Sequence, residues 1–276
     1  MDTSRFNVDP YNPNNILITT QDIINIMKKL NINDFKIHNL SLYQQAFVQK
    51  SYCYMKDYEQ YQKPDNCLPL FHKSYETLEF IGDSFLGNSV ASYLYQRYVT
   101  TFNQDEGFLT KLKIRLVCGD QCTFYSKQLG FDKYMILSNH IEMNCNGRQN
   151  PKFMEDVFEA FIGAMFLDTN SYELVNEFII RVIETHIDFT ELIMKDNNYK
   201  DQILRYFQHN FKIHAKYEHI PIEDDMKQNR SFTCNLLKNN EIICSGIGET
   251  KKKAEQDASK NALILYGLIN QHVIYE

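Results

Sequence analysis

Two acidic segments about eighty residues apart constrain this chain more than any other feature. The first runs Tyr75-Glu-Thr-Leu-Glu-Phe-Ile-Gly-Asp83 and supplies Glu76, Glu79 and Asp83. The second runs Pro151-Lys-Phe-Met-Glu-Asp-Val-Phe-Glu-Ala-Phe-Ile-Gly-Ala164 and supplies Asp156 and Glu159. Spacings of three and four residues put the acids of each segment on one face of a helix. The residues between them are Leu, Phe, Ile and Val, so part of each helix must be buried. Packing such helices together brings like charges close, and a divalent cation held by hard oxygen ligands is the natural compensation. Gly82 costs a helix about 1 kcal/mol relative to Ala. Its presence between Glu79 and Asp83 predicts that another part of the chain approaches closely there.

The chain around these segments is patterned for helices from Thr20 to about Phe189. Thr20 is expected to cap a helix with Ile23, Ile24, Met27 and Leu30 on its apolar side. Leu42, Ala46 and Phe47 mark a second helix. Tyr54 to Lys73, with Pro64 and Pro69, reads as a long surface loop. Long helices are expected from about Ser74 to Tyr98, from Asp105 onward, through Asp156 to Leu167, and from Ser171 to His186. After Asn197-Asn198 the pattern changes. A short helix is followed by strand-like segments at 215–222, 231–238 and 241–246, with Asn239-Asn240 as a hairpin turn, and then by a helix opening with Lys251, Lys252 and Lys253. This order predicts an N-terminal extension over 1–19, loosely attached to about residue 15. It also predicts an all-α domain over 20–195 and an α+β module of order αβββα over 199–270.

Composition narrows the partners. The formal charge of −6 disfavours a polyanion, but residues 199–276 carry +1 and residues 1–198 carry −7. Metal bound by the acidic segments would offset part of that excess. Three lysines at a helix start oppose the helix dipole, an arrangement that suits a phosphate ligand. No run of eighteen apolar residues is present, so no membrane span is expected. The seven cysteines form no C-x-x-C pair and no zinc spacing, which suits reduced thiols in an intracellular, cytoplasmic protein. The abundance of Asn, Ile, Lys and Tyr hints at an AT-rich genome, such as that of a large DNA virus.

The segment Glu76-Thr-Leu-Glu-Phe-Ile-Gly-Asp-Ser-Phe-Leu86 resembles the signature of the ribonuclease III family, and Asp156 to Asp168 resembles its second acidic motif. Ala46-Phe-Val-Gln-Lys-Ser-Tyr52 and Glu106-Gly-Phe-Leu-Thr-Lys-Leu-Lys113 resemble two further motifs. The tail, with Gly246-Ile-Gly and Lys251 to Ala258, is similar to a double-stranded-RNA-binding domain. Pro151-Lys-Phe-Met-Glu-Asp is closer to the Dicer-type branch.

The resemblance implies an Mg²⁺-dependent endonuclease, with Mn²⁺ as a substitute, that cuts double-stranded RNA and leaves 5′ phosphates and short 3′ overhangs. It implies metal ligands at Glu79, Asp83, Asp156 and Glu159, with catalytic roles for Asp83 and Glu159. Glu76 and Glu106 would be further acids near the scissile phosphate, and Glu142 falls in a loop where another family acid can occur. With one nuclease domain per chain it implies a homodimer, with Phe80 inserting into the partner. RNA contacts are implied at Lys251, Lys252, Lys253, Arg205, Lys227 and Arg230. Tyr75, Thr77 and Glu155 depart from the family pattern, and the Asp225–Arg230 loop lacks its Gly-Pro-His sequence. The competing reading is a protein that binds or sequesters double-stranded RNA without cutting it.

Overall fold

Two glycines decide how the helices that carry the acids meet. In the computed structural model, which describes residues 9–194, 198–221 and 231–269, helices Glu76–Leu94 (α3) and Pro151–Thr169 (α8) cross in backbone contact. A Cβ on Gly82 would lie 1.8 Å from the Glu159 carbonyl oxygen, and one on Gly163 would lie 2.1 Å from that of Leu78. The close approach expected at Gly82 is therefore to the backbone of Glu159 itself. Helix α8 is the core of the first unit, Met1–Leu192. Met154, Val157, Phe158, Phe161, Ile162 and Met165 are all fully buried on it. Phe161 packs against Phe47, Phe131 and Phe178 at ring separations of 6.2, 4.8 and 5.5 Å.

The other helices wrap this one. They are Thr20–Lys29 (α1), Leu40–Gln45 (α2), Thr100–Phe102 (α4), Glu106–Val117 (α5), Gly119–Leu129 (α6), Asn139–Cys145 (α7), Tyr172–His186 (α9) and Phe189–Met194 (α10). Helix α3 stops at Leu94 and continues through a π turn, Tyr95–Val99, into α4. Asp105 caps α5 and Ser171 caps α9. The cap of α1 is Thr19 rather than Thr20, because Thr19 and Asp22 form a reciprocal capping box. Ile26 takes the buried place expected of Ile24. The N-terminal segment is not loose from residue 9 onward. Asn12 and Asn15 are buried and donate to the Leu137 carbonyl at 3.1 and 2.9 Å. Asp168, at the end of α8, has a fully buried side chain. It accepts from the backbone amides of His38 and Asn39 and from the Tyr43 hydroxyl, fastening the start of α2.

The second unit, Ile193–Glu276, places Tyr199–Phe211 (α11) and Lys251–Leu265 (α12) on one three-stranded antiparallel sheet. The strand order is Lys216–Pro221 (β1), Phe232–Lys238 (β2), Glu241–Gly248 (β3). Asn239 and Asn240 turn the hairpin with φ of 52° and 69°, the backbone a two-residue turn requires. Ile203, Phe207, Leu236, Ala258, Ala262 and Leu263 form the core. Gly246 and Gly248 let α12 lie against β3, since a Cβ on Gly246 would meet the Ala258 nitrogen at 2.0 Å. Among the described residues no helix is long and apolar enough to cross a membrane.

Candidate metal centre and RNA-facing residues

Backbone contact at Gly82 and Gly163 sets the two acidic segments side by side. One carboxylate oxygen from each of Glu79, Asp156 and Glu159 falls within 4.8 Å of the other two. Asp83 and Glu76 line the same cleft of about 530 Å³, together with Phe80, Lys152, Glu155 and Glu159. Of the four acids expected to meet, Glu79, Asp83 and Glu159 line the cleft, and the buried Asp156 joins Glu79 and Glu159 in the tight cluster.

The electrostatics of this cleft are strained in the way that a cation would relieve. Asp156 and Glu159 are each only 6% exposed. Burial, then the charges of Asp83 and Glu155, push the Glu159 carboxyl up to about 8. Glu79 is also raised, by burial and by Asp156. Asp156 Oδ2 accepts from the buried Tyr75 hydroxyl at 3.0 Å. Asp156 Oδ1 is buried without a hydrogen bond, and Lys152 Nζ stands 2.7 Å away as a charge outside hydrogen-bond geometry. A buried carboxylate oxygen whose one close partner is a lysine charge, beside two further carboxylates, is a hard-oxygen donor set, and it fits a divalent cation.

Lys152 is a cation of the cleft that the acidic motifs do not announce. Its ammonium lies 2.7 Å from Asp156, 3.4 Å from Glu155 and 3.8 Å from Glu79. Burial opposes its charge, but Asp156, Glu155 and Glu79 outweigh that and hold it above the ordinary lysine value. The signal was present in the sequence, because Lys152 precedes Asp156 by one helical turn. Glu155 does add charge beside the site. Its carboxylate occupies the space of the missing Cβ of Gly119, 2.6 Å from where that atom would be.

Not every expected acid joins the cleft. Glu106 sits exposed in the first turn of α5 and accepts from the Thr110 hydroxyl at 2.8 Å. Glu142 is engaged elsewhere, accepting from Arg148 and from Asn12 at 2.7 and 2.6 Å. Arg148 holds it below the usual carboxylate range despite partial burial. Phe80 is 80% exposed at the rim of the cleft, so it is not a core residue of its own chain. In the second unit Lys251 and Lys252 are exposed at the start of α12, where Thr250 caps the helix. Lys253 also bonds to Glu249 at 2.8 Å. Arg205 is exposed on α11 and pairs with Asp201 at 2.8 Å. Lys227 and Arg230 lie outside the described residues.

Comparison with known proteins agrees with both units. Residues 76–170 match the Ribonuclease III domain family, and residues 199–266 match the Double-stranded RNA binding motif family. Ribonuclease 3 of Listeria innocua is 32% identical over 229 residues, covering 83% of this chain and 92% of that protein. The "Probable ribonuclease 3" of Acanthamoeba polyphaga mimivirus is 39% identical over 200 residues. That match covers 71% of this chain but only 35% of the viral protein. The nuclease domain of Campylobacter jejuni ribonuclease III superposes with a TM-score of 0.48 at 25% identity, covering 60% of this chain and 98% of that one. With both family matches in order along the chain and 32% identity to a Ribonuclease 3 over 92% of that protein's length, the chain belongs to the ribonuclease III family of double-stranded-RNA endoribonucleases.

Proposed function

We propose that this chain cuts double-stranded RNA with a divalent cation held by Glu79, Asp83, Asp156 and Glu159. The observation that carries the reading is the convergence of Glu79, Asp156 and Glu159 within 4.8 Å, with Asp156 and Glu159 each only 6% exposed. Mg²⁺, or Mn²⁺ in its place, would supply the acidity that makes water a nucleophile and the charge that stabilises the leaving 3′ oxygen. The chain's own residues do the rest. Glu159, whose carboxyl is pushed up to about 8 by burial and the neighbouring acids, would give up any proton it holds on becoming a ligand. Lys152 balances the acid cluster until RNA and cation enter. Glu76, which lines the cleft, and Glu106, exposed in the first turn of α5, would be further acids near the scissile phosphate.

Two chains would form the working enzyme, each cutting one strand, with the exposed Phe80 side chain seated in the partner. Cuts on the two strands then leave 5′ phosphates and short 3′ overhangs. Residues 199–270 hold the duplex through its A-form shape, with Lys251, Lys252, Lys253 and Arg205 on phosphates and Lys227 and Arg230 in the same role. All seven cysteines are free thiols, which supports a reducing, intracellular setting. Incubation of a labelled long duplex with Mg²⁺ tests the reading. Fragments that vanish with chelator are expected; retention without fragments in both conditions would make the protein a binder instead.

Tyr75 acts as a positioning residue in this scheme, because its hydroxyl fixes Asp156 through Oδ2 and leaves Oδ1 to Lys152. Loss of an outer-shell hydrogen bond of this kind lowers metal affinity by about 10- to 100-fold. Tyr75→Phe is therefore expected to weaken Mn²⁺ uptake by the RNA-free protein at least tenfold, read by titration calorimetry, with the thermal midpoint little changed.

A further inference from the structure

A second cleft lies against the first and has the opposite charge. It has a volume of about 350 Å³, and Lys50, His72, Lys73, Ser74 and Thr77 line it. Glu76 lines both clefts. The local chain builds it by closing the ends of the long loop. Tyr54 donates its amide to the Phe71 carbonyl at 2.8 Å, and Phe71 donates to the Tyr52 carbonyl at 3.2 Å. This bridge between Cys53 and Phe71 brings Lys50, on one side of the loop, to Lys73 on the other. The His72 ring rests 6.2 Å from the Tyr54 ring. Lys50 and Lys73 put positive charge beside Thr77 and Glu76.

We propose that this cleft is a phosphodiester-binding subsite for the RNA strand that enters the acidic cleft, taking a backbone phosphate next to the one that is cut. The proposal rests on the nuclease reading above. Two ammonium groups, an imidazole and two hydroxyls offer donors suited to phosphate oxygens, with one carboxylate at the shared wall. Among the described residues, the bonds to be exchanged are the Lys50 Nζ ion pair to Glu76 Oε1 at 3.4 Å, with the two side chains 67% and 51% exposed, and the bond that the Ser74 hydroxyl donates to Glu76 Oε2 at 3.2 Å. Exposed pairs of this kind are weak, so phosphate can displace Glu76 from Lys50 at little cost. A polyanion meeting the acidic cleft alone would be repelled; a basic neighbour on the same rim holds it in register.

The test is the paired change Lys50→Gln with Lys73→Gln, and Lys56→Gln, on the same loop and outside the cleft, serves as the control. Duplex binding is measured by fluorescence anisotropy in the Glu159→Gln background with Mg²⁺ across a salt series. Each lost phosphate contact removes about 0.9 from the slope of log affinity against log salt, so the paired variant is expected to lose nearly two, and to bind roughly tenfold or more weakly at 0.1 M salt. In protein with Glu159 intact the pair should raise KM, leave kcat nearly unchanged, and leave Mn²⁺ uptake without RNA unaltered. A slope and affinity equal to those of the Lys56→Gln control would overturn the subsite. Failure of the nuclease reading would show differently, as an absence of Mg²⁺-dependent fragments from the unmutated chain, while the anisotropy slope would still report on the cleft.

Discussion

Glu159→Gln is expected to abolish cutting of duplex RNA while leaving retention of that RNA nearly intact. Gln keeps the shape and removes the charge at a position only 6% exposed. The substitution also has a pH signature that loss of a merely structural group would lack. Burial first, and the nearby Asp83 and Glu155 charges second, push the Glu159 carboxyl from 4.5 up to about 8. Below pH 4.5 the folded and unfolded metal-free chains both hold this proton. As pH rises toward 8 the unfolded chain gives it up and the folded chain does not, so the folded state loses stability through that window. The Gln variant has no such loss. In chelator, its urea midpoint should exceed that of the unmutated protein by a margin that grows from pH 4.5 to 8. Cation uptake near pH 7 should release a proton from the unmutated protein, read as a buffer-dependent heat in calorimetry, and release less from the variant. Normal cutting by Glu159→Gln would remove this residue from the chemistry.

Gly82→Ala should be nearly as damaging, and for a reason outside the charges. The added methyl would lie 1.8 Å from the carbonyl oxygen of Glu159, which is backbone and cannot turn aside. Helix α8 must move outward at the residue whose carboxylate has to meet Glu79. Overpacking of this kind costs about 3 kcal/mol, and a shift of about 1 Å at a reacting group costs roughly 100-fold in rate. Denaturant melts and single-turnover cleavage together check both effects. Gly87→Ala on the same helix is the contrast. Its nearest neighbour would be Lys113 Nζ at 3.9 Å, so it should be neutral or stabilising by about 1 kcal/mol. Equal behaviour of the two variants would show that α3 and α8 do not depend on bare backbone contact.

The parts of the fold that could be read from the sequence are those where chemistry and periodicity agree. Helix α8 was legible because an uninterrupted apolar run carried two acids one turn apart, and α3 because Gly82 made sense only against another backbone. The αβββα order was legible from Asn239-Asn240 and from the glycines beside the lysine-rich helix. Helices α6 and α7 left no comparable mark. Helix α6 mixes Asp120, Gln121 and Lys127 with a buried side made of Cys122, Thr123, Tyr125 and Ser126, which does not read as an apolar stripe. The packing of Asn12 and Asn15 was hidden for a similar reason. Buried asparagines satisfied by a distant carbonyl look the same in sequence as solvated ones. At the site, the acids could be named from their spacing, but Lys152 could not be weighed until its ammonium was seen among three of them. Arg148 likewise explains why Glu142, acidic and suitably placed in the chain, is held apart from the cleft.

The buried Asp168 carboxylate bears on how this protein emerges from the ribosome. Its partners, the amides of His38 and Asn39, precede it by 130 and 129 residues. Helix α2 has six residues, too few to persist alone. At typical elongation rates the amides of His38 and Asn39 wait on the order of ten seconds before their acceptor is synthesised. The start of α2 therefore gains this buried anchor only once α8 has been synthesised, so its fastening belongs to the late part of the unit's assembly.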